Sequence, residues 1–308
     1  MEKSMNVHYT HDKHNKVPFW TKARPYLIIA PSLLLTIGIL VPFATAIFYS
    51  LTNYSFARQG YEFVALRNWQ NILGSSVFWH SVKVTAQYGL LTTGLQMCIG
   101  LGVALLLMRE NRYTKILRIL LIFPLMIAPV IATLIWQLML NNSVGIVEKF
   151  LNLFGVYNFP WASSPDTALM TAVMIDCWVY IPFVMLLMLA GLQSLPKSPF
   201  ESAKIDGGSA WFTFRTLTLP MLKPFIFIAL IFRLMAALQE YAIIFALTKG
   251  GPGNTLMNLS LTGYNTGFAF MKLGEALPYL LFLWAVIYFI SSKLVKAWLK
   301  VQKQAAGN

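Results

Sequence analysis

The chain has 308 residues, of which 57% are hydrophobic and 11% charged, with a mean hydropathy of +0.62. A soluble domain of this length carries about twice that share of charge, so an ordinary water-soluble enzyme is excluded and a membrane protein is indicated. The net charge of +13 would suit nucleic acid, but the basic residues sort by membrane side and leave no basic-aromatic patch for such a partner.

Residues 1–25 read as a polar tail carrying Lys3, Lys13, Lys16, Lys22 and Arg24. No small-residue cleavage site makes the following apolar run a removable signal. His8, His11 and His14 recur every third residue and could chelate a metal; without cysteines or a fixed scaffold they read as part of a disordered tail. Six runs reach the ~20 apolar residues that cross the hydrocarbon core. The first spans 26–51, is uncharged, and holds Pro31 and Pro42 as tolerable kinks. An amphipathic loop over 52–81 places Trp69, Phe78 and Trp79 at an interface. The second span covers 83–108 and a basic turn follows at 109–115. The third covers 116–140 with Pro124 and Pro129, and a loop rich in turn residues and aromatics fills 141–166. The fourth covers 167–195, the fifth 219–248 and the sixth 275–292, before a basic tail. Cys98 and Cys177 both lie inside spans and read as small buried hydrophobes, not a disulfide. The expected fold class is therefore an all-α membrane protein of six transmembrane helices, with a tail at 1–25, a membrane domain at 26–300 and a second tail at 301–308.

Lysine and arginine distribution orients it. Seventeen of the 24 basic residues fall in the N-terminal tail and in 109–118, 197–223 and 293–303, against five (Arg58, Arg67, Lys149, Lys249, Lys272) in the opposite loops. By the positive-inside rule both termini and the loop at 197–223 are cytoplasmic.

That loop, within the polar stretch 191–224, has its own grammar. Ser198 as N-cap, Pro199 at the first helical position and Glu201 three residues after the cap make a capping box. Gly207-Gly208 should end the short helix in left-handed geometry. Ser209 can cap a second helix over 210–216, before Leu219-Pro220 opens the next apolar run. A polar helix–Gly-Gly–helix element between two spans suits docking of a soluble partner; an ordinary inter-helix loop is the plainer alternative.

Several motifs extend the reading. Glu201-Ser202-Ala203, then Gly207, then Leu217-x-Leu219-Pro220 resembles the "EAA…G…I-LP" loop of permease subunits in binding-protein-dependent ABC importers. Ser202 stands in place of alanine at the second position of the EAA triplet and Leu217 in place of the usual isoleucine, both volume-preserving changes. Ala190 to Pro196 (AGLQSLP), Leu247 to Asn254 (LTKGGPGN) and Phe63 to Asn71 (FVALRNWQN) resemble the carbohydrate branch of that family, the maltose- and glycerol-phosphate-type permeases. The likeness covers about residues 25–300. It implies a bacterial plasma (inner) membrane location and import of a sugar or sugar-like solute. It also implies partners: a sister permease, two cytoplasmic ATPases that bind ATP and Mg, and an extracytoplasmic sugar-binding protein. The loop at 197–218 would couple ATPase closure to the spans, through Glu201, Ser202, Ala203, Asp206, Gly207, Leu219 and Pro220.

No G-x-x-x-x-G-K-[ST] occurs, so the chain itself is expected to bind no ATP and no other cofactor. No nucleophile or metal constellation suggests an intramembrane enzyme, and no persuasive inverted repeat is visible. Gly263-x-x-x-Gly267 falls in an outer loop and carries no weight as a helix-dimer motif. The alternative function is an ion-coupled secondary transporter, for which the intramembrane charges Asp176, Arg233 and Glu240 would be the support.

Those charges define the expected substrate pathway. Asp176 and Tyr180 are four apart on one helical face, just before a kink expected at Pro182. Arg233 and Glu240 are seven apart in the fifth span, again on one face, and Gln239 adjoins that face. A charge at mid-bilayer costs about 2.5–3.5 kcal/mol, so these groups should face the pathway or one another. For Arg233 two readings stay open: contact with substrate, or pairing with a carboxylate to pin two helices. The resemblance implies that Asp176, Tyr180, Gln239 and Glu240 line the sugar site. Amides are common there in maltose-type permeases, so the carboxylates imply a different sugar or hydrogen-bond pattern.

Overall fold

The computed structural model describes residues 19–109 and 111–305; His8, His11 and His14 lie outside the described residues. The chain divides into two units, residues 1–48 and 49–308. Among the described residues, five helices are long and apolar enough to cross a membrane, and a bent helix pair makes a sixth if counted as one span.

The first unit contains most of α1 (Phe19–Ser50), which from Arg24 to Ser50 is long and apolar enough to cross a membrane. Pro25, Pro31 and Pro42 sit inside it without ending it. Its hydroxyls are turned back on the helix: Ser32 donates to the Ile29 carbonyl, Thr36 to Ser32 and Thr45 to Val41. An apolar helix thereby keeps its polar side chains satisfied internally, as a hydrocarbon environment demands.

In the second unit, the helix expected to begin at Lys83 starts seven residues earlier. It is α3 (Ser76–Leu106), preceded by the short α2 (Arg67–Leu73). Phe78 and Ser81, expected in the loop, are buried on it. The third run is not one helix. α4 (Arg112–Ile122) and a 3₁₀ turn (Phe123–Met126) meet α5 (Pro129–Met139) at a 102° bend. Pro124 lies at the start of the tight turn, one residue after Phe123, and Pro129 forces Ala128 into extended geometry at ψ 134°, so two prolines five residues apart break the expected single span.

After the seven-residue α6 (Ile146–Asn152), α7 (Pro165–Ser194) runs through Pro182 as one helix. α8 (Ser198–Ile205) and α9 (Ala210–Thr213) form the polar loop. A π turn (Phe214–Thr218) then carries α9 without a gap into α10 (Leu219–Leu238). One continuous helix, Ala210–Leu238, replaces the expected second loop helix and separate span. The wider π turn accommodates Pro220, which has no N–H to give the preceding turn. The fifth span stops at Leu238, ten residues short of the expected end, and a short α11 (Ala242–Thr248) follows. α12 (Leu259–Tyr264) and a second π turn (Asn265–Ala269) lead to α13 (Leu273–Ala305), so the expected basic tail at 293–303 is helix.

α3 and α7 run in the same direction and pack along each other, with α10 against both and α13 against α10. The α3–α7 approach is close at Gly100, where a Cβ would lie 2.7 Å from the Val184 side chain. Two apolar layers result. One, near the α7–α10 loop, joins Ala104, Val184, Met188 and Leu222; the other, at the far end, joins Tyr88, Ile175, Ile243 and Leu261. Between them on α3 lies Gln96, fully buried, which marks the level of the polar site.

Candidate functional site

The site is assembled from three helices. Asp176 of α7 and Arg233 of α10 are both buried and form an ion pair at 2.8 Å. α3 completes the cluster. Tyr88 donates its hydroxyl to Asp176 Oδ2 at 2.7 Å, and Gln96 Nε2 donates to Oδ1 at 2.5 Å. Arg233 Nε donates to Gln96 Oε1 at 2.6 Å, so the amide bridges anion and cation. The guanidinium also lies over the Tyr180 ring, 4.1 Å from its centroid, in cation–π geometry.

Arg233 is thus paired with a carboxylate of the neighbouring helix. Both Asp176 oxygens accept from protein donors. The chemistry is that of a charge pair made tolerable in an apolar interior because each partner is also hydrogen-bonded.

Asp176 and Tyr180 do share one face of α7, and both meet Arg233. Glu240 does not share a helical face with Arg233, because α10 has ended two residues earlier. Its carboxylate accepts from the Ile243 N–H at 2.8 Å and starts α11, while Asn258 Nδ2 donates to its carbonyl at 2.5 Å. Side chains thus satisfy the backbone freed by the break, as irregular chain in an apolar layer requires. Gln239 is exposed; its amide donates to the Met235 carbonyl and its own carbonyl accepts from Ser260.

Tyr88 and Gln96 were absent from the expected set. Their signal was present: Thr85, Tyr88, Thr92 and Gln96 interrupt an apolar run at helical spacing, and all four are buried on α3. A polar stripe within an apolar helix marks the face that meets other polar groups.

At the other end of the second unit lies the polar loop. Residue 197 is already in the right-handed helical region at φ −74°, ψ −31°, and Ser198 accepts no capping bond. The expected capping box is therefore not formed, because the helix begins one residue earlier than a Ser198 cap allows. The other end matches expectation. Gly207 has φ +74°, its N–H donates to the Lys204 carbonyl at 3.3 Å, and Gly208 N–H reaches the Ala203 carbonyl at 2.8 Å. Those two bonds complete a Schellman motif. Ser209 accepts from Phe212 N–H at 3.2 Å and caps α9. Glu201, Ser202, Asp206, Gly207 and Pro220 are exposed, while Ala203 and Leu219 are half-buried.

Comparisons with known proteins agree with this architecture. The family model "Binding-protein-dependent transport system inner membrane component" matches residues 96–305. The chain is 35% identical to a trehalose/maltose transport system permease protein from Thermococcus litoralis, over 78% of this chain and 82% of that one. It is 31% identical to an sn-glycerol-3-phosphate transport system permease protein from Pectobacterium atrosepticum, over 82% and 86%. Its fold is similar to a chain in the crystal structure of a bacterial ABC transporter involved in import of the acidic polysaccharide alginate. The TM-score there is 0.77 at 20% identity, covering 91% of this chain and 98% of that chain. With several helices fit to cross a membrane and the family match over two thirds of its length, the chain belongs to the inner membrane components of binding-protein-dependent transport systems, as a multi-pass ABC permease.

Proposed function

We propose that the chain imports a sugar or sugar-like solute as one of two permease subunits. A sister permease would share the pathway, two separate ATPase subunits would bind ATP and Mg, and a binding protein would deliver the solute. The carbohydrate class rests on the relatives' names, trehalose/maltose and sn-glycerol-3-phosphate among them. The observation that carries the division of labour is the exposed helical loop at 198–213. Ile205, Trp211 and Phe212 are 86%, 69% and 54% exposed on an otherwise polar element between two membrane-length helices. Large apolar side chains on a polar surface fit a protein partner, here the ATPase, with Glu201, Ser202, Ala203, Asp206 and Gly207 forming the helix and turn seated in it. Closure of the ATPase pair would then move α7 and α10 together, since Leu219 and Pro220 continue the loop rigidly into α10.

In this reading Tyr180 and Gln239 face the solute, while Asp176, Arg233 and Glu240 hold them in place. Both termini and the 198–213 loop lie on the cytoplasmic side of the bacterial inner membrane. The test is purification in mild detergent from the native host, with ATP hydrolysis measured on the product. An ATPase and a second permease should co-purify, and Gly207→Val should release the ATPase while leaving this chain in the membrane. Co-purification unaffected by Gly207→Val would place the ATPase elsewhere. A cysteine at Lys204 should be shielded from an impermeant thiol reagent in intact cells and one at Asn254 labelled; the reverse pattern would invert the orientation.

A further inference from the structure

A row of aromatic rings, unused by the site above, runs across the second unit from the 52–56 segment to the edge of the polar cluster. Tyr49 stacks on Tyr54 at 4.5 Å between centroids, Tyr54 meets Phe56 at 5.8 Å, and Phe56 stacks on Phe268 at 6.0 Å. Phe268 meets Tyr264 at 5.3 Å, and Tyr264 meets Tyr241 at 4.9 Å. Tyr241 follows Glu240 directly, and it packs with Tyr180 against the same buried apolar layer. The row therefore ends beside the residues assigned to the solute.

These rings are held, not loosely tethered. Phe56 N–H and the Ser55 hydroxyl both donate to the Met271 carbonyl, at 2.9 and 2.8 Å, and Gly274 N–H donates to the Tyr54 carbonyl at 2.8 Å. Backbone bonds thus fix the 54–56 segment against the 271–274 segment. Tyr264 and Phe268 are four apart on one helical face. Yet the middle rings stay open: Phe56 is 50%, Phe268 57% and Tyr264 37% exposed.

We infer that this row is a stacking track for pyranose rings, which passes the sugar from the binding protein's side of the chain to Tyr180 and Gln239. A pyranose has apolar C–H faces and hydroxyl edges. Aromatic faces match the first, and the tyrosine hydroxyls can exchange hydrogen bonds with the second. Four of the six rings are tyrosines, whereas a face built only for lipid tails needs no hydroxyls. Spacings of 4.5–6.0 Å put each ring within reach of the next sugar contact before the last is lost. The inference rests on the carbohydrate reading given above and names the residues that would favour ringed over acyclic solutes.

The test uses the complex of this chain with its sister permease, ATPases and binding protein in proteoliposomes. The probes are labelled trehalose and maltose, which are pyranose disaccharides, and sn-glycerol 3-phosphate, which has no ring. Replacing Phe56, Tyr264 and Phe268 together by leucine keeps apolar bulk but removes the ring faces, and should lower disaccharide uptake about tenfold. The yield of assembled complex should not change. The triple exchange Phe56→Tyr, Tyr264→Phe, Phe268→Tyr should keep most of the uptake. Unchanged uptake in the leucine variant overturns the track. So does a loss of uptake that parallels loss of the sister permease, because the row is then a subunit interface. Uptake of glycerol 3-phosphate alone by the native complex overturns the track but leaves a sugar-like solute in place. Uptake of none of the three, together with a purified binding protein that carries no sugar, overturns the carbohydrate reading itself, and the track with it.

Discussion

The Asp176–Arg233 cluster and the 198–213 loop are both polar interruptions of an apolar chain, and they solve the problem in opposite ways. The cluster draws side chains from three helices into a closed, buried set of hydrogen bonds. The loop keeps its polar groups in local turns, with Ser209 capping α9 and Gly207 closing α8, and shows its apolar residues outward. A buried polar group must find partners across the fold, so its loss is felt by the whole unit. An exposed loop stabilises itself locally, so its loss is felt by whatever docks there.

The largest expected effect is on the cluster. Asp176→Ala leaves Arg233 buried without its anion and should destabilise the chain by about 3–5 kcal/mol. Low yield and a lowered unfolding temperature in detergent would be the readout. Asp176→Leu combined with Arg233→Met should recover much of that loss while uptake stays impaired. Full stability in Asp176→Ala alone would mean that the pair contributes little, and would blur the contrast.

Next comes Gly207→Val, which puts a β-branched residue at φ +74°. Its cost is about 1–2 kcal/mol, confined to α8 and its turn. Chain yield should stay near that of the native protein while transport is lost. Equal falls in yield and transport would show that the loop supports the spans as well as the partner.

Ser209→Ala removes the one side-chain cap found in the loop and should cost about 1 kcal/mol locally. Hydrogen exchange over 210–213 should quicken, with the amides of α7 unchanged. Ser198→Ala should have the smallest effect, within about 0.5 kcal/mol, since Ser198 makes no capping bond. A clear loss of stability or transport on Ser198→Ala would restore the capping box that the sequence pattern suggests.

How far the sequence reaches differs between these regions. The left-handed Gly207 and the Ser209 cap were legible because each depends on a few neighbouring residues. Ser198 departs from its pattern because helix entry is decided by the backbone of residue 197, and a serine before a proline fits either of two starting positions. Asp176 and Arg233 stood out as charges too costly to face lipid. Their partners Tyr88 and Gln96 did not, being uncharged and more than 75 residues away along the chain.

By itself the sequence determined that the protein is a helical membrane chain, that five of its runs are long and apolar enough to cross a bilayer, and where the polar loop falls. Each of these follows from apolar length, from charge and from local turn chemistry. Only the tertiary structure decided that the third run is bent by 102°, that α10 ends before Glu240, and that α9 fuses with α10. The physical reason is common to all three. A helix break or a π turn leaves backbone groups unsatisfied in an apolar layer, and it persists only where distant groups such as Asn258 or a neighbouring helix can meet them.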